Sequence, residues 1–130
     1  MEFFIAKKFS NCTFSEMDVK VREELMKEGF GVITEIDLKK TFKEKIDVDF
    51  RNYTIIGACN PSFAYKALQA EDKIGIMLPC NVVIQETKNG DIEVLAFDPA
   101  SVMMSMDNPE LENISTEVRE KLTNVLDRLD

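Results

Sequence analysis

The pattern of apolar and polar positions divides the chain into alternating strands and helices. Phe3 to Phe9 reads as a strand. Thr13 and Glu16 form a capping box, so a helix is expected from about Phe14. Phe14, Met17, Val21 and Leu25 recur on it at helical spacing, and Gly29 supplies its C-terminal cap. Phe30 to Ile36 is a second strand. Asp37 then caps a short helix that stacks Leu38, Phe42 and Ile46. Tyr53 to Cys59 is a third strand, and Asn60-Pro61 starts a helix with proline at its first position. Phe63, Ala64, Ala67 and Leu68 form the expected buried stripe of that helix. Ile74 to Glu86 reads as one long strand, turned at Asn89-Gly90 into an antiparallel return from Asp91 to Phe97. Asp98-Pro99 and Asn108-Pro109 start two further helices. The last carries Ile114, Val118, Leu122, Val125, Leu126 and Leu129 on one face.

The one strand pair that the pattern dictates is an antiparallel hairpin. No Gly-rich strand-to-helix turn suggests a doubly wound parallel fold. The expected architecture is therefore α+β: one domain over residues 1–130, a mainly antiparallel sheet, and helices packed on one face. The strands are apolar on both faces: Ile92 and Val94 alternate with Leu95 and Phe97. Helices on one side leave the other face to be covered, and a second copy of the chain is the simplest cover.

Composition narrows the function classes. At 130 residues the chain can bury roughly 65–70% of its unfolded surface, enough to fold without a metal or disulfide. The net charge of −8 argues against a phosphate-binding surface, so no nucleic-acid partner is expected. No apolar run reaches the length of about 18 residues needed to span a membrane. Three cysteines, Cys12, Cys59 and Cys80, are too few and too odd a number for a secreted disulfide framework. With no signal-peptide pattern at the start, the expectation is a cytoplasmic protein with free thiols. Histidine is absent. That removes Ser-His-Asp and Cys-His catalysis and the commonest zinc ligand.

Two segments stand out: Gly57-Ala58-Cys59-Asn60-Pro61 and Met77-Leu78-Pro79-Cys80-Asn81-Val82. Each sets a Cys-Asn pair beside a proline. Cys59 precedes a helix N-terminus, where partial positive charge favours a thiolate. Pro79 cannot donate to a sheet ladder and marks an edge or bulge beside Cys80. Cys59, Asn60, Pro61, Cys80 and Asn81 are thus the candidate ligand-binding residues, with Cys59 and Cys80 as candidate catalytic thiols. The competing reading makes both cysteines inert apolar filler. Cys80 lies in phase with Ile76, Leu78, Val82 and Ile84, all expected inward. Met103, Met104 and Met106 could ligate a soft metal, but methionine in an apolar segment more often fills gaps. Lys39, Lys40, Lys43 and Lys45 are interrupted by Glu44, Asp47 and Asp49, as on a solvated face. Glu35 and Asp37 are the one carboxylate pair considered for acid–base work, and capping explains Asp37 better. No metal site or cofactor is called for.

Taken together, Gly29-Phe30-Gly31-Val32-Ile33-Thr34-Glu35-Ile36-Asp37, Asp49-Phe50-Arg51, the two cysteine segments, Ala64, Ala67-Leu68 and the closing Glu117 to Leu122 helix resemble the domain-of-unknown-function family 302. The resemblance runs nearly end to end. It implies a TATA-binding-protein-like half-repeat with a curved antiparallel sheet, and a homodimer. It implies no activity. Three readings of function follow. The first is a homodimeric small-ligand-binding or accessory module, its ligand lying near the start of the Asn60-Pro61 helix. The second is a thiol protein passing sulfur or electrons through Cys59, with Cys80 as the resolving partner. The third, a carboxylate enzyme, ranks last. Whether the chain is an enzyme stays open at this level.

Overall fold

The computed structural model describes residues 2–129. Five strands, β1 (Phe4–Phe9), β2 (Gly31–Asp37), β3 (Tyr53–Cys59), β4 (Cys80–Glu86) and β5 (Ile92–Phe97), form one sheet. Its order is β1-β5-β4-β3-β2, and every neighbouring pair is antiparallel. The helices are α1 (Phe14–Lys27), α2 (Leu38–Ile46), α3 (Pro61–Ala70), α4 (Pro99–Met103) and α5 (Pro109–Asp127). The expected α+β fold with an antiparallel sheet is the one observed.

Local chemistry explains most boundaries. The Thr13–Glu16 capping box is complete, with Glu16 N–H on Thr13 Oγ1 at 3.1 Å and Thr13 N–H on Glu16 Oε1 at 3.0 Å. Gly29, at φ +86°, lets the chain leave α1 in the left-handed region and enter β2. Asp37 caps α2 through Lys40 N–H at 3.1 Å. Gly90, at φ +83°, closes the β4–β5 turn.

The core lies between the sheet and the pair α1 and α5. Met17, Val21 and Leu25 of α1 and Val118, Leu122, Val125 and Leu126 of α5 meet Ile56, Val82, Ile84, Val94 and Ala96 of the sheet. Lys7 on edge strand β1 donates to the Leu126 and Leu129 carbonyls at 3.2 and 3.0 Å, capping the end of α5. A second cluster joins Ala67 of α3, Ile74, Met103 of α4 and Leu111 of α5.

One carboxylate is buried under α1. Glu24 is 6% exposed, and its oxygens accept from Lys27 Nζ and Arg128 Nε, both at 2.6 Å. Arg128 also reaches Glu28 at 3.1 Å. The hydrogen bonds from Lys27 and then Arg128 hold the Glu24 carboxyl below its ordinary value of 4.5. A lowered folded-state pKa stabilises the protein above the unfolded value, and that contribution is lost as pH falls through the folded one. Thermal unfolding followed downward from pH 4.5 is therefore expected to lose stability more steeply in the native protein than in Glu24→Gln. Parallel curves would show that the ion pairs contribute nothing.

Three expectations are corrected. The long strand from Ile74 to Glu86 is two elements: a 3-10 turn over Asp72–Met77, then β4 from Cys80. Glu71 caps the turn through Lys73 N–H at 3.0 Å, and Pro79 brings no donor for a ladder. Ile76 consequently points outward and is 90% exposed, not in phase with Cys80. Ile46 of α2 and Leu68 of α3 are also exposed, because each helix lies at the rim and buries a narrower stripe than its apolar pattern suggests.

The face away from α1 and α5 is incompletely covered. Helix α2 lies chiefly against β2 and β3, where Phe42 meets Phe50 edge to face and Phe50 lies tilted against Tyr53, with ring centres 5.1 and 6.0 Å apart. Beyond it runs a trough of about 520 Å³ floored by Val83, Leu95 and Phe97, with Phe4 and Tyr53 at its sides and exposed Phe3 and Ile76 at its rim.

Candidate functional site

Strand β3 ends at Cys59, where the chain turns through Asn60 into α3. Across the ladder Ala58 pairs with Cys80, so Cys59 stands one residue along from the partner of Cys80. The two cysteines line one cavity, closed over by Phe63 of α3, Met103 of α4 and Val118 of α5, with Phe30 at its base. Ala64 and Ala67 of α3 also line it, and their small side chains leave the space open where α3 packs against α5 and the Asp72–Met77 turn. The enclosed space is small, about 40 Å³, and reaches about 440 Å³ only when the open mouth is included. The trough on the opposite face is far roomier, but its lining holds no cysteine.

The polar groups at the cavity are few. Ser115 is buried and its Oγ donates to the Glu112 carbonyl at 3.0 Å. Asn60 does not cap α3 with its side chain, contrary to expectation; its Nδ2 donates to the Glu28 carbonyl at 3.3 Å. A longer-range partner wins here: the amide ties the end of α1 to the start of α3, and it packs against Gly29. The first-turn N–H groups of Ser62 and Phe63 are left without a side-chain cap.

Cys80 is 8% exposed, and its thiol is pushed up to about 11, first by burial and then by the charge of a Cys59 thiolate. At neutral pH it is a protonated, weakly nucleophilic group. Cys12 lies elsewhere, half-buried against the core beside α1, with its thiol also raised by burial and by Glu16.

The five candidate ligand residues are therefore divided. Cys59, Asn60 and Cys80 share the cavity. Pro61 sits exposed at the first turn of α3 and is not among the cavity residues. Asn81, next along β4, points to the opposite face and lines the trough. Strand alternation dictates that split. Leu78 and Pro79 form a wall common to both spaces. Sequence reasoning did not place Met103 at this site: the Met103–Met106 run gave a signal without a location. Met104 and Met106 are exposed, whereas Met103 is 4% exposed and at the cavity.

The other candidates serve the scaffold. Asp37 is a cap, and Glu35 pairs with Arg22 at 2.8 Å on the surface. Lys43 pairs with Asp47 and Asp49 at 3.0 and 3.4 Å in solvent. Among the described residues no helix is long and apolar enough to cross a membrane.

Comparison with known proteins agrees with this fold. None of the curated proteins matches the chain. A crystal structure of an uncharacterized conserved protein DUF302 from Bacillus stearothermophilus is similar throughout: 27% identity, TM-score 0.91, with all of both chains covered. The sequence pattern of the domain of unknown function DUF302 matches residues 5–129, and the chain belongs to that family.

Proposed function

We propose that the chain is a homodimeric module that binds a small ligand in the cavity between β3, β4 and α3. The observation that carries this reading is the cavity itself. It opens to the surface, its walls are almost wholly apolar, and Asn60 and Ser115 are the polar residues among them. Ligand sites have that character: an apolar lining with a small number of placed polar groups. A thiol-transfer role is the competing reading. The protonated state of Cys80 counts against it, because a resolving cysteine must act as a thiolate.

Dimerisation rests on the open sheet face. An apolar trough of this extent on a monomer marks an interaction surface. A second copy related by a two-fold axis would set Leu95 and Phe97 of one chain against the same face of the other. Light scattering at micromolar concentration is expected to give a dimer, and Leu95→Arg a monomer, since its charge would be buried unpaired. A native protein that scatters as a monomer overturns the dimer. For the cavity, ¹²⁹Xe NMR should detect a bound xenon atom that Ala64→Leu expels. Xenon shifts identical in both proteins would remove the cavity as a binding site.

A further inference from the structure

We infer that the cavity ligand is a soft, monovalent d¹⁰ metal ion, Cu(I) in kind, held by the sulfurs of Cys59 and Cys80 with Met103 as a third donor. The inference rests on the proposed cavity-binding reading and names its ligand class. Three observations converge on it. The first is size. The enclosed space of about 40 Å³ is far below the roughly 150 Å³ that accepts a benzene ring, so an organic guest does not fit inside, whereas a bare ion does.

The second observation is the donor set. Cys59, Cys80 and Met103 are all among the residues lining the cavity and its mouth, and the neighbouring polar side chains are committed elsewhere: Asn60 to the Glu28 carbonyl and Ser115 to the Glu112 carbonyl. Hard cations need six or more oxygens or retained waters, and an apolar wall offers neither. Zinc needs four ligands in a tetrahedron. Among the described residues no three His, Cys, Asp or Glu side chains gather to hold a metal. Thiolate and thioether sulfur in low number select Cu(I).

The third observation is charge. Binding breaks the two S–H bonds, releases both protons to solvent, forms two thiolate S–Cu bonds and one thioether S–Cu bond, and leaves copper in its +1 state. No electron moves. The site then carries one net negative charge beside the start of α3, a ten-residue helix whose first-turn N–H groups lack a side-chain cap. Without the ion, two thiolates here would repel each other in an apolar setting. The cation removes that repulsion.

The test is an anaerobic titration of the reduced full-length chain with Cu(I) against bicinchoninate, read by chelator absorbance and by native mass spectrometry. One Cu(I) per chain is expected. Cys59→Ser and Cys80→Ser should each abolish that stoichiometric binding. Met103→Leu, which keeps the volume, should weaken it by about ten-fold, the scale on which supporting groups act at metal sites. Cys12→Ser should bind as the native protein does. Circular dichroism melts of each variant establish folding, and Met103→Leu keeps the test informative should a serine variant unfold. Absence of one-to-one binding, or binding unchanged in Cys59→Ser and Cys80→Ser, overturns the inference. The xenon experiment separates the two failures. Xenon bound without Cu(I) bound leaves the cavity reading standing and removes the ion; neither bound removes both.

Discussion

Replacing Gly57 with alanine is expected to destabilise the protein by about 2–3 kcal/mol, the upper part of the range for overpacking a close contact. Gly57 lies in the middle of β3, paired with Thr34 on one side and Asn81 on the other. A Cβ added there would stand 2.0 Å from Thr34 Oγ1, 3.3 Å from Thr34 Cβ and 2.8 Å from Pro79 Cγ. The Thr34 hydroxyl can swing aside, though a β-branched side chain in a strand has few rotamers to choose from. The proline ring cannot swing. Relief must come from moving the Leu78–Pro79 wall, which bounds both the cavity and the trough. Urea unfolding of Gly57→Ala checks the stability, and the companion Thr34→Ala/Gly57→Ala isolates the proline. The double variant should recover only part of the loss. Full recovery would place the whole conflict at Thr34, and native stability in the single variant would mean that this close approach is easily relaxed.

Gly57 also shows where the sequence was readable and where it was not. The segment around it stands out for its cysteine, and the strand expected from Tyr53 to Cys59 is the one observed. What made glycine necessary was a contact with Pro79, 22 positions later in the chain, and no local pattern carries that. The same division runs through the fold. Caps, the hairpin turn and the amphipathic faces of α1 and α5 depend on residues within one or two turns of each other, and these were legible. The break at Asp72–Met77 was hidden because Ile74, Ile76 and Leu78 keep strand-like alternation while only Ile74 is buried. Its neighbours predict that Asn60 is a cap, but its partner is Glu28, brought near by the sheet. Met103 joined the cysteines only through the packing of α4 and α5. Short-range chemistry set the elements, and long-range packing assembled the cavity.

The second large effect is expected at Asp98. Its side chain is buried at 7% exposure and does two jobs. Oδ1 accepts from Ala100 N–H at 3.0 Å and caps α4, and Oδ2 accepts from Arg119 Nε of α5 at 2.9 Å. The first job could be foreseen from Asp98-Pro99; the second requires α5 to lie alongside. Loss of an N-cap costs about 0.5–2 kcal/mol. Loss of a buried ion-pair partner can cost several more, but the Arg119 side chain is 50% exposed and regains water, so that part is discounted to about 1 kcal/mol. Asp98→Ala should therefore cost about 1.5–3 kcal/mol in all. Asp98→Asn keeps an acceptor for Ala100 and gives up the charge, so it should lose about 1 kcal/mol. The ordering of the two variants, read by chemical denaturation, separates cap from ion pair. Equal losses would assign the whole effect to the charge. The consequence reaches the cavity, because α4 presents Pro99 and Met103 to it and α5 presents Ser115 and Val118. Once α4 is no longer held at Asp98, Met103 loses its fixed position at the cavity. Cu(I) affinity measured at a temperature where Asp98→Ala is fully folded should then fall toward that of Met103→Leu, while the two thiols continue to bind the ion.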